Sequence, residues 1–227
     1  MTRALVTGGG RGIGAAVCNR LARDGFAVAV ADIDANAARE VAARLPGAGH
    51  AGYAVDVSDE QSVTQLFESI ERDGDLIGVL VCCAGVLILP DGTRPKIWET
   101  TLADWERTQA VNLRGTFLTI REYLRRRVAV PVRDGRIVTF GSVAAQLGGY
   151  RSSSAYIASK SGVLGLTKAV AREAAPLGIT VNAVAPGLID APMLRQSLDP
   201  SDDETAAAAI PLGRIGKPED VAAAVSY

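Results

Sequence analysis

One histidine, His50, and three cysteines, Cys18, Cys82 and Cys83, are all that the 227 residues offer to imidazole or thiol chemistry. They show no metal-ligand spacing, so no metal site is expected. A Ser-His-Asp hydrolase would have to use His50, which stands in a Gly/Ala-rich loop with nothing like a nucleophile elbow nearby. A solvated His50 is the expectation. Neighbours on a strand face opposite ways, so Cys82 and Cys83 are poor disulfide partners for each other, and buried free thiols in a reducing compartment are expected. Net charge is −1, without the basic excess of a nucleic-acid-binding domain. No apolar run approaches the roughly 18 residues of a membrane span. Arg3-Ala4-Leu5-Val6 enters a strand pattern at once, without a signal-peptide layout. These absences point to a cytoplasmic protein that binds neither nucleic acid nor membrane.

What is present is ordinary globular composition, 48% hydrophobic and 22% charged, and enough chain for one large α/β domain over 1–227. Short apolar runs alternate with helical patterns. The expected strands are Ala4–Thr7, Ala27–Ala31, Ala51–Val55, Ile77–Cys83, Arg136–Phe140 and Ile179–Ala185. The expected helices are Ile13–Arg23, Asn36–Leu45, Glu60–Arg72, Asp104–Arg127 and Ser154–Ala175. Continuous apolar runs are strands buried on both faces, and the alternation implies a three-layer, Rossmann-like, doubly wound parallel sheet with helices on both faces.

Thr7-Gly8-Gly9-Gly10-Arg11-Gly12-Ile13-Gly14 falls where the first strand turns into the first helix. Glycines there permit a tight turn and close backbone approach, and the helix N-terminus offers free N–H groups to a pyrophosphate. Asp32 ends the second strand, where a carboxylate accepts hydrogen bonds from the adenosine ribose and repels a 2′-phosphate. That favours NAD over NADP, although Arg11 in the glycine loop is placed to meet a 2′-phosphate. Asp56-Val57, ending the third strand, fits either an adenine-edge contact or the approach to a helix cap. Downstream, Tyr156 and Lys160 share a helix face at i and i+4. A free phenol is a poor base near neutrality, and a nearby ammonium lowers its pKa. A phenol so tuned exchanges a proton with an alcohol or carbonyl as hydride moves. Phe140-Gly141-Ser142 places a serine at the carboxyl edge of the sheet, where ligands of open parallel sheets bind.

On these motifs, together with Val111-Asn112, Pro186-Gly187 and the stretch Pro211-Leu212-Gly213-Arg214-Ile215-Gly216-Lys217-Pro218-Glu219-Asp220-Val221, the chain resembles the short-chain dehydrogenase/reductase family along essentially its whole length. The resemblance implies a catalytic set of Asn112, Ser142, Tyr156 and Lys160. Tyr156 would be the general acid/base and Ser142 would hold the substrate oxygen. Lys160 would bind the nicotinamide ribose and lower the tyrosine pKa, and Asn112 would support a water-linked proton relay. The cofactor would touch Gly8, Arg11, Gly12, Ile13, Gly14, Asp32, Asp56, Val57, Cys83, Ala84, Gly85, Tyr156, Lys160, Pro186, Gly187 and Ile189. A homodimer or homotetramer is the family habit, with the helices at 104–127 and 154–175 packed across a two-fold axis.

Four departures accompany the resemblance. Cys82-Cys83-Ala84-Gly85 stands where the family has N-N-A-G. Ala191 follows Asp190 where a threonine is common. Ser142 precedes Tyr156 by 14 residues, one more than usual. The chain stops at Tyr227, before the family's last strand, so that strand is expected to be missing from the sheet. Loops 87–101 and 188–209 are expected to wall the substrate pocket. Arg94, Lys96 and Arg195 are candidates for an anionic group, with a solvated charge as the plainer expectation for each. The expected activity is NAD-linked interconversion of a small-molecule secondary alcohol and its ketone. The rival is a catalytically silent dinucleotide-binding or sensing protein.

Overall fold

The apolar runs assemble into six strands in the computed structural model, which describes residues 2–72, 75–149 and 151–227. They are β1 (Thr2–Thr7), β2 (Ala27–Asp32), β3 (Ala51–Ala54), β4 (Leu76–Cys82), β5 (Arg136–Phe140) and β6 (Thr180–Val184). All pair in parallel, in the order β3-β2-β1-β4-β5-β6. The chain leaves β1 toward β2 and β3, then returns to lay β4 on the other side. The strand order therefore reverses between β1 and β4, and a crevice opens beyond their carboxyl ends.

Helices α1 (Gly12–Arg23), α2 (Ala35–Arg44), α3 (Glu60–Glu71), α4 (Leu102–Gln109), α5 (Gly115–Ala129), α6 (Ala144–Leu147), α7 (Ser154–Ala174), α8 (Asp203–Ala208) and α9 (Pro218–Ser226) complete the described residues. Side chains alternate along each strand, so β1 sends Ala4 and Val6 into one core and Leu5 into the other. The first core packs under α1, α2 and α9 through Val17, Leu21, Val41 and Val221. The second packs under α3, α5 and α7 through Phe67, Leu118, Tyr123 and Val170. Cys82 lies in the second core and Cys83 against the first, and all three cysteines are free thiols.

The structure corrects the expected layout in two places. The helix expected over 104–127 is broken by a π turn at Ala110–Arg114 between α4 and α5. That wide turn carries Asn112, and such bulges commonly mark functional positions. Strands β3 and β6 are not buried on both faces: β3 has no fully buried residue, while Thr180, Asn182 and Ala183 of β6 are exposed. They are the two edges of the sheet, so each lacks a neighbour on one side.

Four of the cores' neighbours are charged. Arg127, 1% exposed, donates to Glu71 Oε1 at 2.5 Å and to the Ile77 carbonyl at 3.2 Å, while Glu71 Oε1 also accepts from the Ile77 N–H at 3.1 Å. Arg126 reaches Glu71 Oε2 at 3.4 Å and Glu122 at 2.7 Å. This cluster bolts α3 and α5 to the start of β4, the strand that leads into the crevice.

Candidate active site

The β1–α1 turn forms one end of the crevice. Gly8 and Gly12 have φ of +70° and +53°, which only glycine adopts freely. A Cβ on Gly8 would lie 2.6 Å from Ala84 Cα, and one on Gly14 would lie 2.0 Å from the Gly8 carbonyl oxygen. The Cys83 N–H donates to the Thr7 carbonyl at 3.1 Å. The turn, Cys83 and Ala84 are thereby brought together as the motif implied. Helices α2, α3, α4 and α7 each begin with a side-chain cap, from Asp34, Asp59, Thr101 and Ser153. Helix α1 begins at Arg11 with no side-chain cap. Its first N–H groups remain available to an anion, as pyrophosphate binding requires. Ile13 packs partly against the first core, and Arg11 is exposed.

Asp32 is held at the rim by two backbone donors: Gly10 N–H at 2.9 Å to Oδ2 and Asp34 N–H at 3.1 Å to Oδ1. Its carboxylate is thus fixed against the glycine turn. Asp56 uses Oδ1 locally, accepting from the Ser58 N–H and hydroxyl at 2.9 and 2.6 Å. Val57 is buried in the second core against Gly115, so any cofactor contact there falls to its backbone.

The other end gathers the residues expected to react. Ser142 follows β5, and its Oγ accepts from the Ala144 N–H at 3.2 Å. The Ser142 side chain is close enough to the Tyr156 phenol to pull its pKa down. Ser153 caps α7 by accepting the Tyr156 N–H at 3.3 Å, which sets the first turn that carries the phenol. Lys160, one turn on and 5% exposed, donates to the Phe140 carbonyl at 2.9 Å, and its Nζ lies 5.8 Å from the centre of the Tyr156 ring. Burial pulls the ammonium down to about 8.

The expected tuning of the phenol is corrected. Burial raises the Tyr156 pKa above its ordinary value; the Ser142 side chain works against that, and the neighbouring Cys83 adds to it. The Lys160 ammonium is itself desolvated and turned to the Phe140 carbonyl.

Asn112, fully buried, accepts from the Val86 N–H at 2.8 Å and donates to the Val86 carbonyl and Ser159 Oγ, each at 3.0 Å. Ser159 in turn donates to the Tyr156 carbonyl at 2.7 Å. The amide therefore splices the strand end beyond Gly85 to α7. A Cβ on Gly85 would stand 3.4 Å from both Asn112 Oδ1 and Lys160 Nζ, so the bare backbone there packs directly between the two. Ser159 escaped the sequence reading; its one signal was a hydroxyl next to Lys160 on the inward face of α7.

The Pro186 carbonyl accepts from the Val143 N–H at 3.0 Å, and Gly187 lies beside Val143. Ile189 packs on the first core and bridges Gly216, so it anchors the loop that follows. That loop reaches back over the glycine turn: a Cβ on Gly12 would come within 3.3 Å of Pro192 and 3.4 Å of Ala191. Arg195 is not a free charge, since Asp203 takes it with two hydrogen bonds at 2.6 and 2.8 Å and Asp190 with a third at 3.0 Å. His50 is not merely solvated: Nδ1 accepts the Val28 N–H at 3.1 Å and Nε2 meets the Pro46 carbonyl at 2.9 Å. Among the described residues no His/Cys/Asp/Glu cluster could hold a metal, and no helix is long and apolar enough to cross a membrane.

The family model described as enoyl-(acyl carrier protein) reductase matches residues 8–227. A short-chain dehydrogenase/reductase of Armillaria gallica is 39% identical, over 99% of this chain and 87% of the relative. The (3R)-3-hydroxyacyl-CoA dehydrogenase of Mus musculus is 37% identical over the same shares. Among solved structures, the 3-ketoacyl-(acyl-carrier-protein) reductase of Brucella melitensis, complexed with NADH, superposes with a TM-score of 0.88 at 28% identity, covering 99% of this chain and 89% of that one.

Proposed function

The chain belongs to the short-chain dehydrogenase/reductase family, an NAD(P)-dependent oxidoreductase of secondary alcohols and ketones, and from that membership we propose an NAD-preferring enzyme in which Tyr156 moves the proton. The observation that carries this reading is Ser142 and Tyr156 brought together beyond β5, the serine hydroxyl favouring the phenolate, with the buried Lys160 ammonium one turn behind. A pure binder has no need of that set.

The residues present fit the dinucleotide. The uncapped start of α1 and the Gly8–Gly14 turn would hold the pyrophosphate, and Asp32 would take the ribose hydroxyls. Lys160, which spends one of its three donors on Phe140, would reach the nicotinamide ribose. When bound, the nicotinamide gives up or accepts the hydride. Ser142 orients the substrate oxygen toward the phenol. In reduction Tyr156 donates its proton to the carbonyl oxygen as the alkoxide forms; in oxidation the phenolate takes it back. Asn112 and Ser159 keep α7 at its distance from the strand end, and so keep Lys160 and Tyr156 in register.

Support for NAD over NADP is the Asp32 carboxylate, fixed by two backbone donors where a 2′-phosphate would come. The solved reductase complexed with NADH agrees with it. Because burial holds the Tyr156 phenol protonated near neutrality, reduction is expected to run best there, and oxidation to gain with rising pH. Tyr156→Phe should lower turnover by about 100- to 10,000-fold and leave NADH affinity within a few-fold, by fluorescence titration. Surviving turnover removes Tyr156 from the role. NADPH binding more tightly than NADH overturns the cofactor preference.

A further inference from the structure

Resting on the oxidoreductase reading, we propose that Arg94 determines specificity by receiving a carboxylate at the far end of the substrate. The cations on the pocket loops differ in what they face. Arg195 is neutralised by Asp190 and Asp203, and Lys96 is exposed. Arg94 is half-buried, and no carboxylate among the described residues pairs with it. Among the described residues its one hydrogen bond is from Nη1 to the Gly149 carbonyl at 2.8 Å, across 55 residues of chain. A guanidinium has five N–H donors, and drawing its charge partly out of water without a counter-ion is unfavourable. A partner carboxylate taken in two parallel hydrogen bonds relieves that cost.

Its position suits a substrate. Gly149 lies against Ala144, since a Cβ there would meet Ala144 Cβ at 2.8 Å, and the Ala144 N–H donates to Ser142 Oγ at 3.2 Å. Arg94, Gly149, Ala144 and Ser142 thus form one run of contacts ending at the hydroxyl that holds the reacting oxygen. A hydroxy or oxo acid with its carboxylate several bonds from the carbinol carbon would lie along that run, its reacting oxygen at Ser142 and its carboxylate at Arg94. Loop 87–101 then supplies the anion receptor, α7 the proton donor, and the 142–149 stretch joins the two.

The test is the ratio of kcat/KM for 4-oxopentanoate and 5-oxohexanoate to that for their methyl esters, with NADH. Wild type should favour at least one acid by about ten- to a hundredfold, as a charge-assisted hydrogen bond pair implies. Arg94→Gln should bring that ratio near one through a rise in KM for the acid, and Arg94→Lys should restore part of it. A residue that merely ties the two loops together would lower acid and ester alike, and an unmoved ratio overturns the proposal. So does a wild type that reduces esters as readily as acids, with the oxidoreductase reading intact. If wild type reduces no ketone at all, that reading fails and takes this proposal with it.

Discussion

Lys160 is a charge that the fold would do better without. Its ordinary value is 10.5 and burial brings it to about 8. At 1.36 kcal/mol per unit, that gap makes the folded chain about 3 kcal/mol less stable below pH 8 than it would be with no such group. Between about 8 and 10.5 the unfolded chain holds a proton that the folded chain has released, so stability from this group rises with pH across that window. Lys160→Met removes the charge but leaves the Phe140 carbonyl without its donor, at about 1.5 kcal/mol. The variant should therefore be more stable than wild type by about 2 kcal/mol at pH 7, close to it at pH 9, and less stable at pH 10. Urea unfolding of both proteins without dinucleotide, at pH 7, 8, 9 and 10, measures the difference. Taking the difference cancels the thiols of Cys82 and Cys83, held up at about 12, which cost stability in both proteins as pH passes 9. A pH-independent difference, or a wild type that is the more stable at pH 7, would refute the desolvated ammonium. The same substitution should abolish turnover, so the stability given up at Lys160 is the cost of its use.

Two further changes probe the frame. Glu71→Leu and Arg127→Leu should each cost about 3–5 kcal/mol, since either leaves a buried charge unpaired. At roughly 0.5 kcal/mol per degree for a chain of this length, that is a Tm drop of about 6–10 °C. The double variant should lose less than either single one in a thermal-unfolding cycle, and simple additivity would contradict the coupling. Gly14→Ala would put a Cβ 2.0 Å from the Gly8 carbonyl. It should cost about 3 kcal/mol or more and weaken NADH binding in parallel; an alanine variant of wild-type stability would mean the turn can open.

The sheet was readable from sequence because interior strands carry unbroken apolar runs: β5 falls at Arg136–Phe140 as expected and β4 within a residue of it. The faces of Cys82 and Cys83 followed from alternation alone. The break at Ala110–Arg114 was not readable, because a π turn keeps the apolar spacing of a helix and differs only in which carbonyl each N–H meets. Tyr156, Lys160 and Ser142 were found by spacing, and the structure brings them together. The direction of the phenol's shift was missed, since i,i+4 proximity says nothing about what desolvates both groups or where the ammonium points. Arg195 and Arg94 looked alike in sequence; only tertiary partners separate a neutralised charge from one that has no counter-ion among the described residues.

Around Ile189 the Leu188 carbonyl accepts the Gly216 N–H, and the Gly216 carbonyl accepts the Asp190 N–H. The segment between them leaves and re-enters the domain through one narrow neck. Such a loop is a cassette: its residues can be exchanged to suit another molecule while the neck shields the sheet from the change. Selection can then rewrite what the enzyme recognises without renegotiating how it folds.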